Sequence, residues 1–182
     1  MTLVARLVLA ISAFNTALGR ALCWLTLGIV LVCFLVVVLR YVFSIGFVWL
    51  QDLYVWLNGI MFTGVAAFTL LRDGHVRVDI FYRKATVRSR AWVDLIGTLV
   101  FLFPFTVSVV IWSWPYVARS WRFMESSSNI GGMPGLFVLK SFILVFAGLV
   151  MLQGVAMALR AVLELARHSH LLPSHLRYSE DR

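Results

Sequence analysis

Charged side chains are absent from four long segments of this 182-residue chain. These apolar segments cover residues 21–39, 53–71, 95–118 and 141–159. About 20 apolar residues, rising 1.5 Å each, cross a hydrocarbon layer of about 30 Å. Because lipid offers backbone groups no partners, a spanning segment must satisfy them within its own helix. The pattern predicts an all-α integral membrane protein with four transmembrane helices, at about residues 20–40, 52–71, 94–118 and 140–160.

The segments outside these helices are too short to form a second domain. The longest are the loop 72–93 and the tail 161–182, each smaller than an independent hydrophobic core requires. We therefore predict a single membrane domain over 1–182, with shorter loops at 41–51 and 119–139. Ahead of the first span, one helical face would carry large apolar residues, which predicts a short helix lying in the membrane interface: Leu3, Leu7, Ile11, Phe14 and Leu18.

The charge distribution orients the chain. Its net charge is +8, yet only 13% of its residues are charged, against about a quarter in soluble domains. No basic domain is available to bind nucleic acid, so we expect no such partner. Four spans place both termini and the 72–93 loop on one side, with twelve Lys and Arg residues against four on the other. Since cytoplasmic segments carry the excess of cations, both termini are predicted to be cytoplasmic.

Aromatic residues concentrate towards the opposite side. Five of the seven tryptophans lie there: Trp49, Trp56, Trp112, Trp114 and Trp121. Amphipathic rings gather where headgroups meet hydrocarbon, so an aromatic belt explains most of this pattern. A protein-docking surface is the alternative.

Between their end residues, the predicted spans contain no charged residue and no histidine. Ionisable groups at depth mark ion pathways and proton relays, and haem ligation requires histidines on facing helices. His75 and Asp79 are four residues apart, but two ligands do not complete a metal site. Cys23 and Cys33 lie too far apart on one helix to bridge. We therefore expect no catalytic residue, cofactor or metal in this chain, and a protein that assists others in transport or chemistry.

Small and polar residues inside the spans indicate helix packing. Gly59, Thr63 and Ala67 follow one another at four-residue intervals in the second span, so another helix can approach closely there. In the fourth span, Gln153 can form hydrogen bonds between helices, next to the small Gly154. Both sets could face this chain's own helices or those of a partner subunit.

Two charged residues near the outer loops have simple electrostatic interpretations. Asp52 lies where the second span begins, and a carboxylate there complements the positive end of the helix dipole. Lys140 begins the fourth span, where the dipole disfavours a cation. Pairing with Glu125, pairing with a partner, or extension towards the headgroups could explain its position. Between them, Gly131 to Gly135 give a strong turn signal.

The loop 72–84 has three interpretations. A metal site at His75 and Asp79 is the weakest, because Asp73-Gly74 predicts a turn just before it. The alternation of Val76, Val78 and Ile80 favours an extended segment at the membrane surface. The third possibility is a folded loop that holds the second and third helices in register.

Eight short motifs distributed over about residues 20–160 resemble one known family. They are Arg40-x-x-Phe43, Trp49-x-x-Asp52, Gly64 with Ala66-Ala67, the run Asp73-Gly74-His75-Val76-Arg77-Val78-Asp79, Glu125-Ser126, Gly131-Gly132-Met133-Pro134, Lys140, and Leu152-Gln153-Gly154. The family is the small, four-helix permease subunit of tripartite ATP-independent periplasmic (TRAP) transporters. Many members carry Glu at the position of Asp52. The Gln51-Asp52 version is similar to members of organic-acid and mannitol or chloroaromatic-type systems.

The resemblance implies a bacterial inner-membrane scaffold subunit. Its partners would be membrane lipids, a large permease subunit that binds sodium and the solute, and a periplasmic substrate-binding protein. The implied family motif and loop residues are Arg40, Asp52, His75, Arg77 and Asp79. The implied docking candidates are Trp49, Arg122, Glu125 and Lys140. The alternatives are a self-contained homo-oligomeric carrier and, less favoured, a membrane anchor of a redox complex.

Overall fold

A computed structural model describes residues 1–75 and 85–178, and the regular structure within these ranges is helical. The α-helices are α1 (Thr2–Cys23), α2 (Leu25–Tyr41), α3 (Val48–Leu71), α4 (Val87–Gly97), α5 (Phe103–Arg122) and α6 (Leu136–Leu165). Four stretches are long and apolar enough to cross a membrane: Thr2–Tyr41, Val48–Leu71, Val87–Arg122 and Leu136–Leu165. The prediction of an all-helical chain with four such stretches is confirmed.

The helices form a bundle with two distinct ends. One end, here called the loop end, carries the connections 42–47 and 123–135. The other, the terminal end, carries both ends of the described chain, residues 1 and 178. The α1–α2 rod runs antiparallel to α3, with Leu22 against Gly64 and the Thr26 hydroxyl donating to the Met61 sulfur at 3.0 Å. Helix α6 packs against α1, α3, α4 and α5 and is the centre of the bundle.

Helix α1 is longer than the predicted interfacial helix and follows a different packing rule. It has 22 residues and is separated from α2 by a single turn at Trp24. The face with large apolar residues, including Leu3, Leu7 and Phe14, is exposed. The buried face consists of small or polar residues and Val8: Ala5, Val8, Ser12, Asn15 and Gly19. Small side chains let α1 approach α3 and α6 closely, which is how helices pack in lipid.

The third spanning stretch is interrupted by a π-helical turn at Thr98–Leu102, just before Pro104. Proline has no backbone N–H and its ring crowds the preceding turn, so Pro104 disturbs the hydrogen bonds on its N-terminal side, whereas α5 continues past Pro115. The Thr106 hydroxyl donates to the carbonyls of Leu102 and Phe103, each at 3.0 Å. The turn pushes Leu102 and Phe103 towards α6, where a Cβ on Gly154 would lie 2.6 Å from the Leu102 side chain.

The C-terminal tail is folded. It contains two 3-10 turns, Ser169–Leu171 and Ser174–Leu176. Its Leu172 and Leu176 join Ala5, Val8 and Leu163 in a buried apolar cluster. This contact places both ends of the described chain at the same end of the bundle.

Candidate functional site

The polar residues at the loop end are organised around Asp52, the fifth residue of α3. Its carboxylate accepts hydrogen bonds from the Asn129 side chain and the Met133 backbone N–H, both at 3.0 Å, and from the Ser127 side chain. Asp52 is buried, and its three partners all belong to the connection between α5 and α6. The carboxylate therefore ties the start of α3 to a loop about eighty residues further along the chain.

The backbone of this loop is shaped for the carboxylate. The Ser127 N–H donates to the Met133 carbonyl at 3.0 Å, and the Gly132 N–H donates to the Asn129 carbonyl at 2.9 Å. A Cβ on Gly132 would lie 2.6 Å from the Ser127 hydroxyl oxygen and closer still to the Asp52 carboxylate. Two motifs that sequence reasoning interpreted separately, Asp52 and Gly-Gly-Met-Pro, thus form one unit.

A second polar cluster surrounds Lys140 in the first turns of α6. Its ammonium forms an ion pair with Glu125 and lies 4.2 Å from the centre of the Tyr116 ring. The Ser120 hydroxyl donates to the same Glu125 carboxylate at 2.6 Å. The bonds from Lys140 and Ser120 lower the pKa of the Glu125 carboxyl below its ordinary value. Of the explanations for Lys140, the structure shows the pairing with Glu125.

The remaining loop-end candidates do not join these clusters. Trp49 is half-exposed and lies near Phe47, with ring centres 6.1 Å apart. Arg40 and Arg122 are exposed at the ends of α2 and α5. Trp121 is linked to α6 through a 2.7 Å hydrogen bond to the Ser141 hydroxyl.

Inside the bundle, polar and small residues face helices of the same chain. The Asn15 amide donates to the Gln153 side chain at 2.8 Å, and both residues are buried. Gly59 faces Leu139 of α6, the Thr63 hydroxyl donates to the Gly59 carbonyl at 2.7 Å, and Ala67 is buried. The sequence analysis identified Gln153 but not Asn15, although Asn15 is the one amide side chain in α1.

The terminal end contains an ion pair between Asp94 and Arg160 that was not predicted from the sequence. Asp94 and Arg160 were taken as the ends of their spans, but α4 and α6 extend past both. Their charged groups are 3.3 Å apart and buried, and the Tyr178 hydroxyl donates to Asp94 at 2.8 Å. Burial and the nearby Asp94 carboxylate raise the pKa of Tyr178 well above its usual value, so its hydroxyl remains a donor.

The predicted loop motif is described only in part. His75 is exposed just after α3. Arg77 and Asp79 lie outside the described residues, so the three interpretations of this loop stay predictions. Within residues 1–75 and 85–178, no three His, Cys, Asp or Glu side chains converge in a way that could hold a metal ion.

These features define a class of protein. The chain is a helical protein with four stretches long and apolar enough to span a membrane, and the pairs Asn15–Gln153 and Asp94–Arg160 join its own helices.

The family described as Tripartite ATP-independent periplasmic transporters, DctQ component, matches residues 29–164, about three quarters of the chain. The chain belongs to this family and is therefore a small permease subunit of a TRAP transporter, a multi-pass membrane protein and a transport component. The resemblance drawn from the motifs is confirmed. No curated protein and no solved structure matches the chain.

Proposed function

We propose that this chain is the static scaffold subunit of its transporter and pairs with the large permease subunit in the bacterial inner membrane. The family match carries this proposal, because the family's name describes one component of a tripartite system. The structure supports it, since the buried polar pairs Asn15–Gln153 and Asp94–Arg160 are used to hold this chain's own helices together. A subunit built in this way adds rigid surface to a partner that moves.

Helix α2 is the best candidate surface for that partner. None of its 17 residues is buried, because it packs mainly on α3. Its outward face is large and apolar, with Val30, Leu31 and Phe34 exposed. In the assembled transporter this face would contact the large subunit, and membrane lipids would cover what remains.

The proposed orientation is with both termini in the cytoplasm. The apolar cluster of Leu172 and Leu176 with Ala5 and Val8 supports a location of both ends of the described chain on one side of the membrane. The excess of Lys and Arg at that end supports a cytoplasmic location. The first turns of α1 would then lie in the cytoplasmic interface, with exposed Leu3 and Leu7 in contact with lipid.

At the loop end, which would be periplasmic, we propose that the substrate-binding protein docks. Lys140 and Glu125 bond to each other, so they would support the docking surface from within. Arg122 and Trp49 are exposed and would make direct contacts. The sodium coupling and the import of an organic acid or related solute follow from the resemblance alone, and both ligands would bind to the large subunit.

The test is reconstitution of the transporter. The chain should co-purify with a large permease subunit of about twelve spans, and proteoliposomes should import solute only when both subunits and the binding protein are present. Transport by vesicles that contain this chain alone would overturn the scaffold proposal and favour a self-contained carrier. An Arg122→Ala variant should raise the binding-protein concentration needed for half-maximal transport, while Asn58→Ala, an exposed α3 control, should not.

A further inference from the structure

The C-terminal segment 166–178, here called the strap, folds back from the end of α6. Helix α6 stops because Arg167 adopts a left-handed conformation with φ of 62°. The His168 N–H then bonds to the Leu163 carbonyl at 2.8 Å, a pattern that closes helix C-termini. Arg177 donates to the carbonyls of Leu172 and His170, the latter at 2.9 Å. These bonds give the strap a defined shape.

Two leucines attach the strap to the first helix. Leu172 and Leu176 are 2% and 6% exposed, in the same cluster as Ala5 and Val8 of α1 and Leu163 of α6. A further contact comes from the aromatic end of the strap. The Tyr178 hydroxyl bonds to Asp94 of α4, and its ring lies 4.5 Å from the guanidinium of Arg160 in α6. The strap therefore touches three helices.

We propose that the strap is a clamp that holds the N-terminal half of α1 against α6. Beyond the end of α3, that half of α1 meets the bundle through small residues, including Ala5 and Ser12. In the interface, where water reaches the helix and burial of apolar area still stabilises a contact, these residues provide little apolar area. The strap leucines supply the missing area. The family match covers residues 29–164, so the N-terminal half of α1 and the strap both lie outside it.

The clamp predicts that Val8 is shielded only while the strap is in place. Val8 is 1% exposed in the apolar cluster. A Val8→Cys variant, in a Cys23→Ser/Cys33→Ser background, should react slowly with a water-soluble maleimide in membranes opened by freeze–thaw. The reagent then reaches both membrane faces, so the result does not depend on orientation or on transport.

Releasing the strap should expose the thiol. The double change Leu172→Ser/Leu176→Ser should raise the labelling rate about tenfold or more. Without the two leucines the strap detaches more often from α1, and the thiol at position 8 is then exposed to the reagent. Tyr178→Ala should have a smaller effect, and Tyr178→Phe a smaller one still because it keeps the ring over Arg160. Ser174→Ala, an exposed change in the same segment, should have none. Equal labelling in the intact and released chains would overturn the proposal.

A second measurement covers the case in which the released variant does not fold. In the same cysteine-free background, Val8→Cys combined with Leu176→Cys should be joined by a short thiol-specific cross-linker. Tyr41→Cys combined with Leu176→Cys should not be, because Tyr41 ends α2 at the opposite end of the bundle. If the first pair fails to cross-link in the full-length chain, the strap does not lie on α1.

Discussion

Asp52→Ala is the most direct test of the loop end, because the groups that would lose a hydrogen-bond acceptor are known. The Met133 N–H and the Asn129 amide each donate to the carboxylate at 3.0 Å, and Ser127 bonds to it as well. A hydrogen bond to a charged group contributes about 1.5–3 kcal/mol. Because the loop is partly exposed, water can replace some of the lost hydrogen bonds. We therefore expect the free energy of local opening to fall by about 2 kcal/mol, near the lower end of this range.

The measurement is hydrogen exchange at the Met133 amide in the full-length chain. A loss of about 2 kcal/mol in the free energy of local opening corresponds to roughly thirtyfold faster exchange. Asp52→Asn should fall between wild type and alanine, because a neutral acceptor forms weaker bonds. Asn58→Ala, on an exposed part of α3, should leave the rate unchanged. If Asp52→Ala also leaves it unchanged, the carboxylate does not hold the loop.

Three further changes probe the loop end and the bundle interior. Gly132→Ala should lower the thermal midpoint, with about 2 kcal/mol of destabilisation, whereas Gly97→Ala, with nothing within 4 Å of its Cβ, should be nearly neutral or stabilising. A Gly132 variant as stable as wild type would contradict the observed packing. Pairing lowers the pKa of the Glu125 carboxyl, so its stabilisation is present above the ordinary value of 4.5 and is lost as pH falls through the lowered one. Melting curves between pH 7 and 3 should therefore show a smaller acid loss in Glu125→Gln than in wild type, and identical profiles would count against the ion pair. Asn15→Ala should cost about 1 kcal/mol in a denaturing-detergent titration, because it leaves Gln153 buried without its donor. Adding Gln153→Leu should recover part of this loss, and strict additivity of the two changes would show that the residues are not coupled.

The spans could be predicted from sequence because their cause is local. An apolar run of sufficient length crosses a bilayer whatever it packs against. The ends of the helices were harder to predict, since a charged residue was taken as the end of each span. A charge marks where a span leaves the hydrocarbon but does not end a helix, and α4 and α6 continue past Asp94 and Arg160, which pair with each other.

The face that α1 buries could not be predicted from large apolar residues. In water, a face with Leu3, Leu7 and Phe14 would be buried, because removing it from solvent is favourable. In lipid that driving force is absent, and close approach through small residues decides the packing. The face with Ala5, Ser12 and Gly19 is therefore the inner one.

The polar clusters depended on contacts between distant parts of the chain. Asp52 and Met133 are 81 residues apart, and no local pattern indicates that they meet. The two parts of the cluster could each be recognised in the sequence, Asp52 as a carboxylate at a helix start and the loop as a glycine-rich turn. Lys140 was more predictable because a cation near a helix start suggests a partner, and pairing with Glu125, 15 residues away in sequence, was one of the three explanations for its position.

The π-helical turn at Thr98–Leu102 has a consequence for how this protein tolerates changes in length. Such a turn holds one residue more than an α-helical turn, so it offsets the rotation of about 100° that one residue adds. Thr98 and Thr106 consequently face the same side and are both buried. Deleting one residue from 99–102 would remove the extra residue of the turn and leave both threonines still facing inwards. The same deletion at Ile111 would turn one half of the helix away from its neighbour.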